Sequence, residues 1–253
     1  MRYVLLTGMA LLGTIGLAAQ PRVIHVLVAL CDNEHQGIVK VPAGIGNGQK
    51  ASTNLYWGAG YGVKTHFDRS AEWVRVASTP ATETHILDRA VWKHKDSAVY
   101  LVADAYDGRN IRQATEDLLR FASGAGTLKI TANGTTINAG GAAHLVAYVG
   151  HNGLMDFSLE TDFPATGRGT REAIILGCIS KRYFAEPLRS TGATPLLWTT
   201  GLMAPEAYTL KAALNGWVAR EPNESIREVA AKAYDQYQKC GINGARRLLV
   251  SGW

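Results

Sequence analysis

The fold of this chain is decided by two segments, HLVAYVGHNGLMDF (residues 144–157) and REAIILGCISKRYF (residues 171–184). Each contains an apolar run of strand length that stops at a glycine. The glycine is followed by a reactive side chain, which is His151 in the first segment and Cys178 in the second. Continuous apolar runs are typical of parallel strands, which are covered on both faces. We therefore predict two neighbouring parallel strands that bring His151 and Cys178 to the same carboxyl edge of a sheet.

Strand and helix patterns alternate along the rest of the chain, which predicts a parallel α/β fold. Further strands are expected in residues 26–30, 72–79, 98–108 and 195–201, and a closing edge strand in residues 245–253. Spacing and capping predict helices over residues 52–70, 111–123, 205–220 and 225–240, whereas residues 86–94 fit either a strand or a helix. The expected architecture is a three-layer sandwich in one domain over residues 21–253, with a mostly parallel central sheet and helices on both faces.

A small β-hairpin is predicted at residues 127–139. Apolar and polar side chains alternate there around Asn133-Gly134. This dipeptide is the strongest short signal for a hairpin, because both of its residues accept the left-handed conformations of a tight two-residue turn.

Residues 1–19 have the layout of a secretory signal peptide. Arg2 precedes an uncharged apolar run that is shorter than the ~20 residues of a membrane-spanning helix, and Ala18 and Ala19 offer a cleavage site. We therefore expect this segment to be removed and no membrane anchor to remain. The expected location is secreted or periplasmic, where disulfides are permitted.

The composition is that of an ordinary globular protein, with 47% apolar and 19% charged residues. The net charge of +5 arises from 26 basic and 21 acidic residues, and the basic residues are scattered. Scattered charge is typical of a solvated surface, so we expect no nucleic-acid partner. The glycine-rich residues 41–50 lack the Lys-Ser/Thr ending of a phosphate loop, and no cofactor is expected.

Three cysteines, Cys31, Cys178 and Cys240, leave at least one thiol unpaired in a monomer. Their spacing contains no C-x-x-C pair or other zinc-ligand pattern, so no metal is expected. Cys31 follows the first predicted strand, and we interpret it as a buried thiol. Two alternatives for Cys31 stay open: a second nucleophile, or a disulfide partner that silences Cys178.

The chemistry is expected at the carboxyl edge of the sheet, where open α/β sheets bind ligands. A cysteine thiol is a weak nucleophile at its free pKa near ~8.5, and a neighbouring imidazolium stabilises its thiolate. Cys178 and His151 at adjacent strand ends meet that requirement, and backbone N–H groups nearby would bind an oxyanion. The candidates for the surrounding substrate pocket are Asp32, Glu34, His35, Asp104, Asp162 and Thr199.

The two quoted segments resemble the active-site segments of the caspase-like cysteine peptidase superfamily, which includes caspases, metacaspases, gingipains, legumains and clostripain. In that superfamily one hydrophobic strand ends in His-Gly and the next ends in a small residue followed by Cys. The order of the other predicted elements over residues 22–220 is similar as well. The resemblance implies a caspase-hemoglobinase fold with strand order 2-1-3-4. It also implies His151 as general acid/base, Cys178 as nucleophile, and the backbone N–H groups of Gly153 and Cys178 as oxyanion donors.

Two positions depart from the pattern of the superfamily. Asn152 stands between His151 and Gly153, and Leu176 stands where metacaspases and clostripain have the Asp that reads basic substrate side chains. Caspases have Gln-Ala before the Cys, whereas this chain has Leu176-Gly177. Basic specificity therefore loses its main support, although Asp32, Glu34 or Asp162 could still supply an acidic pocket, and strict Asp specificity is not implied either.

These observations lead to one expected function and two alternatives. We expect an exported cysteine peptidase or thiol acyl-hydrolase that acts on a peptide or protein substrate. The inserted Asn152 and the absent Asp favour the first alternative, an inactive caspase-like domain that serves as an envelope binding or scaffold protein. The second, weaker alternative is a flavodoxin-like binder of a small ligand.

Overall fold

Strands and α-helices alternate through the computed structural model, which describes residues 20–169 and 171–253. The predicted signal peptide, residues 1–19, lies outside the described residues. The described strands are β1 (Arg22–Ala29), β2 (Trp73–Val76), β3 (Ile86–His94), β4 (Val99–Tyr106), β5 (Thr127–Ala132), β6 (Thr135–Gly140), β7 (Leu145–Val149), β8 (Glu172–Leu176), β9 (Thr194–Thr199) and β10 (Leu249–Val250). The described α-helices are α1 (Val63–Asp68), α2 (Ile111–Ala122), α3 (Ser180–Thr191), α4 (Ala207–Val218), α5 (Asn223–Gln238) and α6 (Ile242–Leu248).

Eight of these strands form one sheet, in the order β10-β9-β8-β7-β1-β4-β3-β2. Strands β1, β4, β7, β8 and β9 run parallel, and β2, β3 and β10 are antiparallel additions at the two edges. When the parallel strands alone are numbered in chain order, they lie in the order 2-1-3-4-5. This arrangement confirms the expected 2-1-3-4 core.

Helices cover both faces of the sheet, which confirms the expected three-layer sandwich. Successive residues of a strand point to opposite faces. Ile24 and Val26 of β1 therefore join one apolar cluster, which includes residues of α4 and α5. Val23 and Leu27 join a second cluster with residues of α2 and α3. Burial on both faces explains why the strand segments are apolar without interruption.

The register of β7 and β8 sets the position of the predicted site. Val149 and Leu176, the last residues of the two strands, are direct partners in the parallel ladder. The ladder continues by one hydrogen bond, in which the N–H of Gly150 donates to the carbonyl of Leu176 over 3.2 Å. The residues that follow both strands therefore leave the sheet at the same level.

The hairpin prediction is confirmed, and so is the strand alternative for residues 86–94. Strands β5 and β6 form a separate two-stranded antiparallel sheet. Asn133 and Gly134 between them have φ values of 45° and 78°, as the turn requires. Residues 86–94 form β3, which is antiparallel to β4.

The helix predicted over residues 52–70 is wrong for most of that length. Only α1 and a short 3-10 turn at Ala51–Thr53 are helical. The glycines of this segment serve close packing instead, since a Cβ atom at Gly58 would collide with the backbone of Ser52. Asn54 also binds outside the segment, because its side chain accepts from the N–H of Cys31 over 3.0 Å and donates to the Cys31 carbonyl over 2.8 Å.

The end of the chain differs partly from the prediction. Residues 242–248 form helix α6, and only Leu249–Val250 form the expected edge strand, which is antiparallel to β9. Over the residues that the structure describes, no helix combines the length and the apolar character needed to cross a bilayer.

Candidate active site

Cys178 lies in a tight turn between β8 and α3. The turn consists of Gly177, Cys178 and Ile179, and Ile179 has a left-handed backbone with φ 51° and ψ 33°. A β-branched residue rarely adopts this conformation, and such a residue persists only where its surroundings hold it. One such contact is the hydrogen bond of 2.8 Å from the Ile179 N–H to the carbonyl of Gly201. The turn therefore presents Cys178 in a fixed direction.

Two buried hydroxyl groups, those of Thr199 and Ser180, bind the main chain of this turn and the strands beside it. Thr199, at the end of β9, donates from its hydroxyl to the carbonyl of Gly177 and accepts from the N–H of Ser180 over 3.1 Å. The Ser180 hydroxyl accepts from the N–H of Thr199 over 2.9 Å and lies 2.8 Å from the carbonyl of Ile175. Thr199 was predicted as a pocket residue, but the structure places it beneath the turn, where it binds main-chain atoms.

The Cys178 thiol is half-buried and contacts the main chain of Met203. The N–H of Met203 donates to Sγ over 3.4 Å, and Sγ lies 3.6 Å from the carbonyl oxygen of Met203. Both contacts come from one residue, so the main chain of Met203 holds the thiol in place.

His151 is buried and held at both its main chain and its ring. The Tyr148 hydroxyl donates to the carbonyl of His151 over 2.7 Å, and burial raises the pKa of Tyr148, so the hydroxyl keeps its proton. Nε2 of His151 lies 2.8 Å from Oδ2 of Asp156. A carboxylate accepts and does not donate, so Nε2 of the neutral ring carries the proton, and Nδ1 has no hydrogen-bond partner among the described residues.

Asp156 is a functional candidate that sequence reasoning missed. Besides His151, its Oδ2 atom accepts from the N–H of Gly37 over 2.9 Å, which ties the loop after β1 to the imidazole. The available signal was a carboxylate five residues after the histidine, within the turn that closes the segment HNGLMD (151–156). That spacing has no regular period, so the pattern of the sequence alone did not single it out.

His151 and Cys178 line one cavity of about 270 Å³ at the carboxyl edge of the sheet. Two loops and two single side chains supply the rest of its wall, and most of that wall is apolar. The loop after β1 contributes Ile38, Val39 and Val41, and the loop after β9 contributes Leu202, Met203 and Pro205. Tyr56 and Met155 complete the lining, with backbone from Gly37 and Gly150.

Asn152 and Gly153 sit differently from what the resemblance implies. The buried Asn152 side chain donates to the carbonyl of Cys178 over 2.7 Å and accepts from the N–H of Leu154 over 3.1 Å. Gly153, predicted as an oxyanion donor, is buried, and a Cβ atom there would meet the Phe157 ring and the Thr115 hydroxyl of α2. Gly153 is not among the residues that line the cavity. The side chain of Asn152 thus links the ends of β7 and β8.

Asp104, another predicted pocket residue, belongs to a buried ion pair away from the cavity. Its carboxylate accepts from Arg89 over 2.6 and 2.7 Å and from Nε2 of His25 over 3.1 Å. Burial alone would raise the pKa of Asp104, but the hydrogen bonds from Arg89 and His25 outweigh it and lower that pKa. Nδ1 of His25 accepts from the N–H of Gly140, so the network fixes the hairpin to the sheet.

The remaining predicted pocket residues lie around other depressions. Asp32 and Glu34 line a second cavity of about 190 Å³, and His35 binds Asp32 with 2.9 Å between Nδ1 and Oδ2. Asp162 lines a third cavity beside α3. None of these three acidic residues lines the cavity of His151 and Cys178.

Cys31 is fully buried next to Tyr56 and is not disulfide-bonded. Burial raises the pKa of its thiol to about 11, against a smaller opposing effect of the Tyr56 hydroxyl. Among the described residues all three cysteines are free, so the structure contains no bond between Cys31 and Cys178. Cys31 is a poor alternative nucleophile in this state, because the thiolate is the reactive form.

Comparisons of the chain with protein-family models, with curated proteins and with solved structures found no match. Within residues 20–169 and 171–253, no group of three or more His, Cys, Asp or Glu side chains is arranged to hold a metal ion.

Proposed function

We propose that this protein is an exported cysteine peptidase or thiol acyl-hydrolase in which Cys178 is the nucleophile and His151 the general acid/base. The observation that carries the proposal is that both side chains line one cavity at the ends of adjacent parallel strands. The hydrogen bonding of the imidazole supports the proposal, since Nε2 binds Asp156 and proton transfer is therefore assigned to Nδ1.

The proposed reaction has two halves. Nδ1 of His151 takes the thiol proton, Sγ of Cys178 bonds to the substrate carbonyl carbon, and the carbonyl electron pair moves to oxygen. When the tetrahedral intermediate collapses, the C–N bond breaks and the leaving amine takes the proton from the imidazolium. Water then attacks the thioester with His151 as base, which releases the acid and restores the thiol.

Asp156 acts in this scheme as a positioning residue. Its carboxylate fixes the tautomer and ring direction of His151 and stabilises the imidazolium that forms between the two proton transfers. Its second hydrogen bond, to Gly37, couples the same carboxylate to the loop that carries Ile38 and Val39. Alignment of the base and position of the cavity wall therefore depend on one group.

The test compares Cys178→Ala with Cys240→Ala, which removes an exposed thiol elsewhere in the chain. Hydrolysis of a mixed peptide substrate is expected to fall to background in Cys178→Ala and to stay at the wild-type rate in Cys240→Ala. Circular dichroism of both variants checks that they are folded. Hydrolysis retained by Cys178→Ala overturns the assignment.

An inactive caspase-like scaffold is the second candidate, and Asn152 favours it. The side chain of Asn152 donates to the carbonyl of Cys178, and Gly153, one of the two implied oxyanion donors, is not among the residues that line the cavity. Labelling with an iodoacetamide probe separates the two candidates. A Cys178 thiol no more reactive than free cysteine, with no hydrolysis by the wild-type protein, supports the scaffold.

A further inference from the structure

We infer that the cavity beside Cys178 selects an uncharged, apolar side chain on the acyl side of the scissile bond. The inference rests on the proposed function and names its substrate class. It starts from the cavity wall, which takes Ile38, Val39 and Val41 from one loop and Leu202 and Met203 from another.

Apart from His151, Cys178 and Tyr56, every side chain that the described residues contribute to the wall is apolar. None of these described residues is Lys, Arg, Asp or Glu. The neighbouring carboxylate of Asp156 already accepts from His151 and from the Gly37 N–H. A buried charge without a partner is strongly unfavourable, so the cavity rejects basic and acidic side chains alike.

The size and the rim of the cavity fit one large apolar side chain. Its volume of about 270 Å³ lies below the range of pockets that enclose a whole drug-sized ligand. Val39 and Leu202, which are 91% and 72% exposed, stand on opposite loops of the wall. Exposed apolar side chains at a cavity mouth lose contact with water when a substrate side chain lies between them, and this burial favours an apolar residue such as Leu or Phe.

The experiment measures how fast Cys178 is labelled by peptidyl acyloxymethyl ketones that differ only in the side chain next to the ketone. In this reaction a C–S bond forms at the methylene carbon, and the C–O bond to the leaving carboxylate breaks. Probes with Leu or Phe are expected to react at least ~10-fold faster than probes with Arg or Asp, as is usual for selection by an apolar pocket.

A variant of the cavity wall is tested with the same probes, so that differences in the intrinsic reactivity of the probes cancel. Leu202→Asp places a carboxylate on the cavity wall at an exposed position, so folding is expected to be unchanged. The rate ratio of the Arg probe to the Leu probe is expected to rise at least ~10-fold. Val229→Asp, at an exposed apolar position of α5, is the matched control and is expected to keep the wild-type ratio.

The outcomes separate the two claims. An Arg or Asp probe that reacts as fast as the Leu probe, while Cys178 is labelled and peptides are hydrolysed, overturns the apolar selection and leaves the proposed function standing. If no probe labels Cys178 faster than free cysteine, both the proposed function and the selection are overturned.

Discussion

Asp156 holds His151 through a hydrogen bond of 2.8 Å between Oδ2 and Nε2. The same oxygen accepts the Gly37 N–H, so the pair joins the end of β7 to the loop after β1. Asp156→Asn is expected to lower kcat by less than the ~10²–10⁴-fold that a complete general acid/base contributes, with a smaller change in KM. The reason is that the amide no longer stabilises the imidazolium, although its oxygen still orients the ring.

Steady-state kinetics of Asp156→Asn and Asp162→Asn check this prediction. Asp162 lines a different cavity and serves as the control carboxylate, with kcat expected at the wild-type value. Equal losses of kcat in both variants, or a change confined to KM in Asp156→Asn, would contradict the role of Asp156.

Thr199 is expected to affect both the stability of the protein and the reactivity of Cys178, because its hydroxyl binds the turn that carries Cys178. Thr199→Val removes the hydroxyl that binds the Gly177 carbonyl and the Ser180 N–H, and leaving buried groups unpaired costs about 1–3 kcal/mol of unfolding free energy. The rate of Cys178 labelling is expected to fall as well, because the turn loses its support. Urea unfolding and iodoacetamide kinetics measure the two effects.

Thr209→Val is the matched control for this experiment. Thr209 is equally buried, on α4, and its hydroxyl has no hydrogen-bond partner among the described residues. The valine variant is therefore expected to be neutral or stabilising. If Thr199→Val proves as harmless as Thr209→Val, the turn does not depend on the threonine hydroxyl.

We expect the ion pair of Asp104 with Arg89 to make part of the unfolding free energy sensitive to acid. Because the folded-state pKa of Asp104 is lowered, its contribution is complete above the unfolded value of ~3.9 and is lost as the pH falls further. Asp104→Asn leaves Arg89 buried without its partner, which costs about 3–5 kcal/mol near neutral pH.

The measurement is the difference in unfolding free energy between wild type and Asp104→Asn as a function of pH. This difference is expected to shrink below about pH 4, where Asp104 of the unfolded wild-type chain binds a proton while Asp104 of the folded chain is still ionised. Asp96→Asn, in the exposed turn before β4, is the matched control carboxylate. A constant difference between wild type and Asp104→Asn down to pH 2 would rule out the lowered pKa.

Thiol accessibility gives a further prediction. Burial raises the pKa of Cys31 to about 11, so at pH 8 only Cys178 and Cys240 are expected to react with Ellman's reagent in the folded protein. Three thiols are expected to react in 6 M guanidinium chloride. Cys31→Ala should leave the native count unchanged, and a native count of three would show that Cys31 is open to solvent.

The parallel sheet was predictable because the signal for each strand is local in the sequence. Uninterrupted apolar runs identify parallel strands, and the carboxyl ends of neighbouring parallel strands coincide, which is why His151 and Cys178 could be expected together. Residues 52–70 show where prediction from residue spacing fails. Their apolar residues are spaced as in a helix, but Gly58 and Asn54 make tertiary contacts that spacing does not reveal.

The walls of the site were not predictable in the same way. Acidic residues after strands suggested a polar pocket. The carboxylate of Asp104 instead accepts hydrogen bonds from Arg89 and His25, which lie on other strands. The apolar wall comes from loops at residues 37–41 and 202–205, which have no periodic pattern. The left-handed Ile179 also escapes prediction, because this conformation is expected of Gly or Asn and not of a β-branched residue.

The cavity wall is built from segments that lie far apart in the chain, and this separation affects the order in which the site folds. The strands that carry His151 and Cys178 are close in sequence, so their pairing closes a short loop. The two halves of the wall, residues 37–41 and 202–205, are far apart in the chain and meet only when most of the sheet has formed. In a nascent chain that folds in this order, His151 and Cys178 come together before the cavity wall beside them is complete.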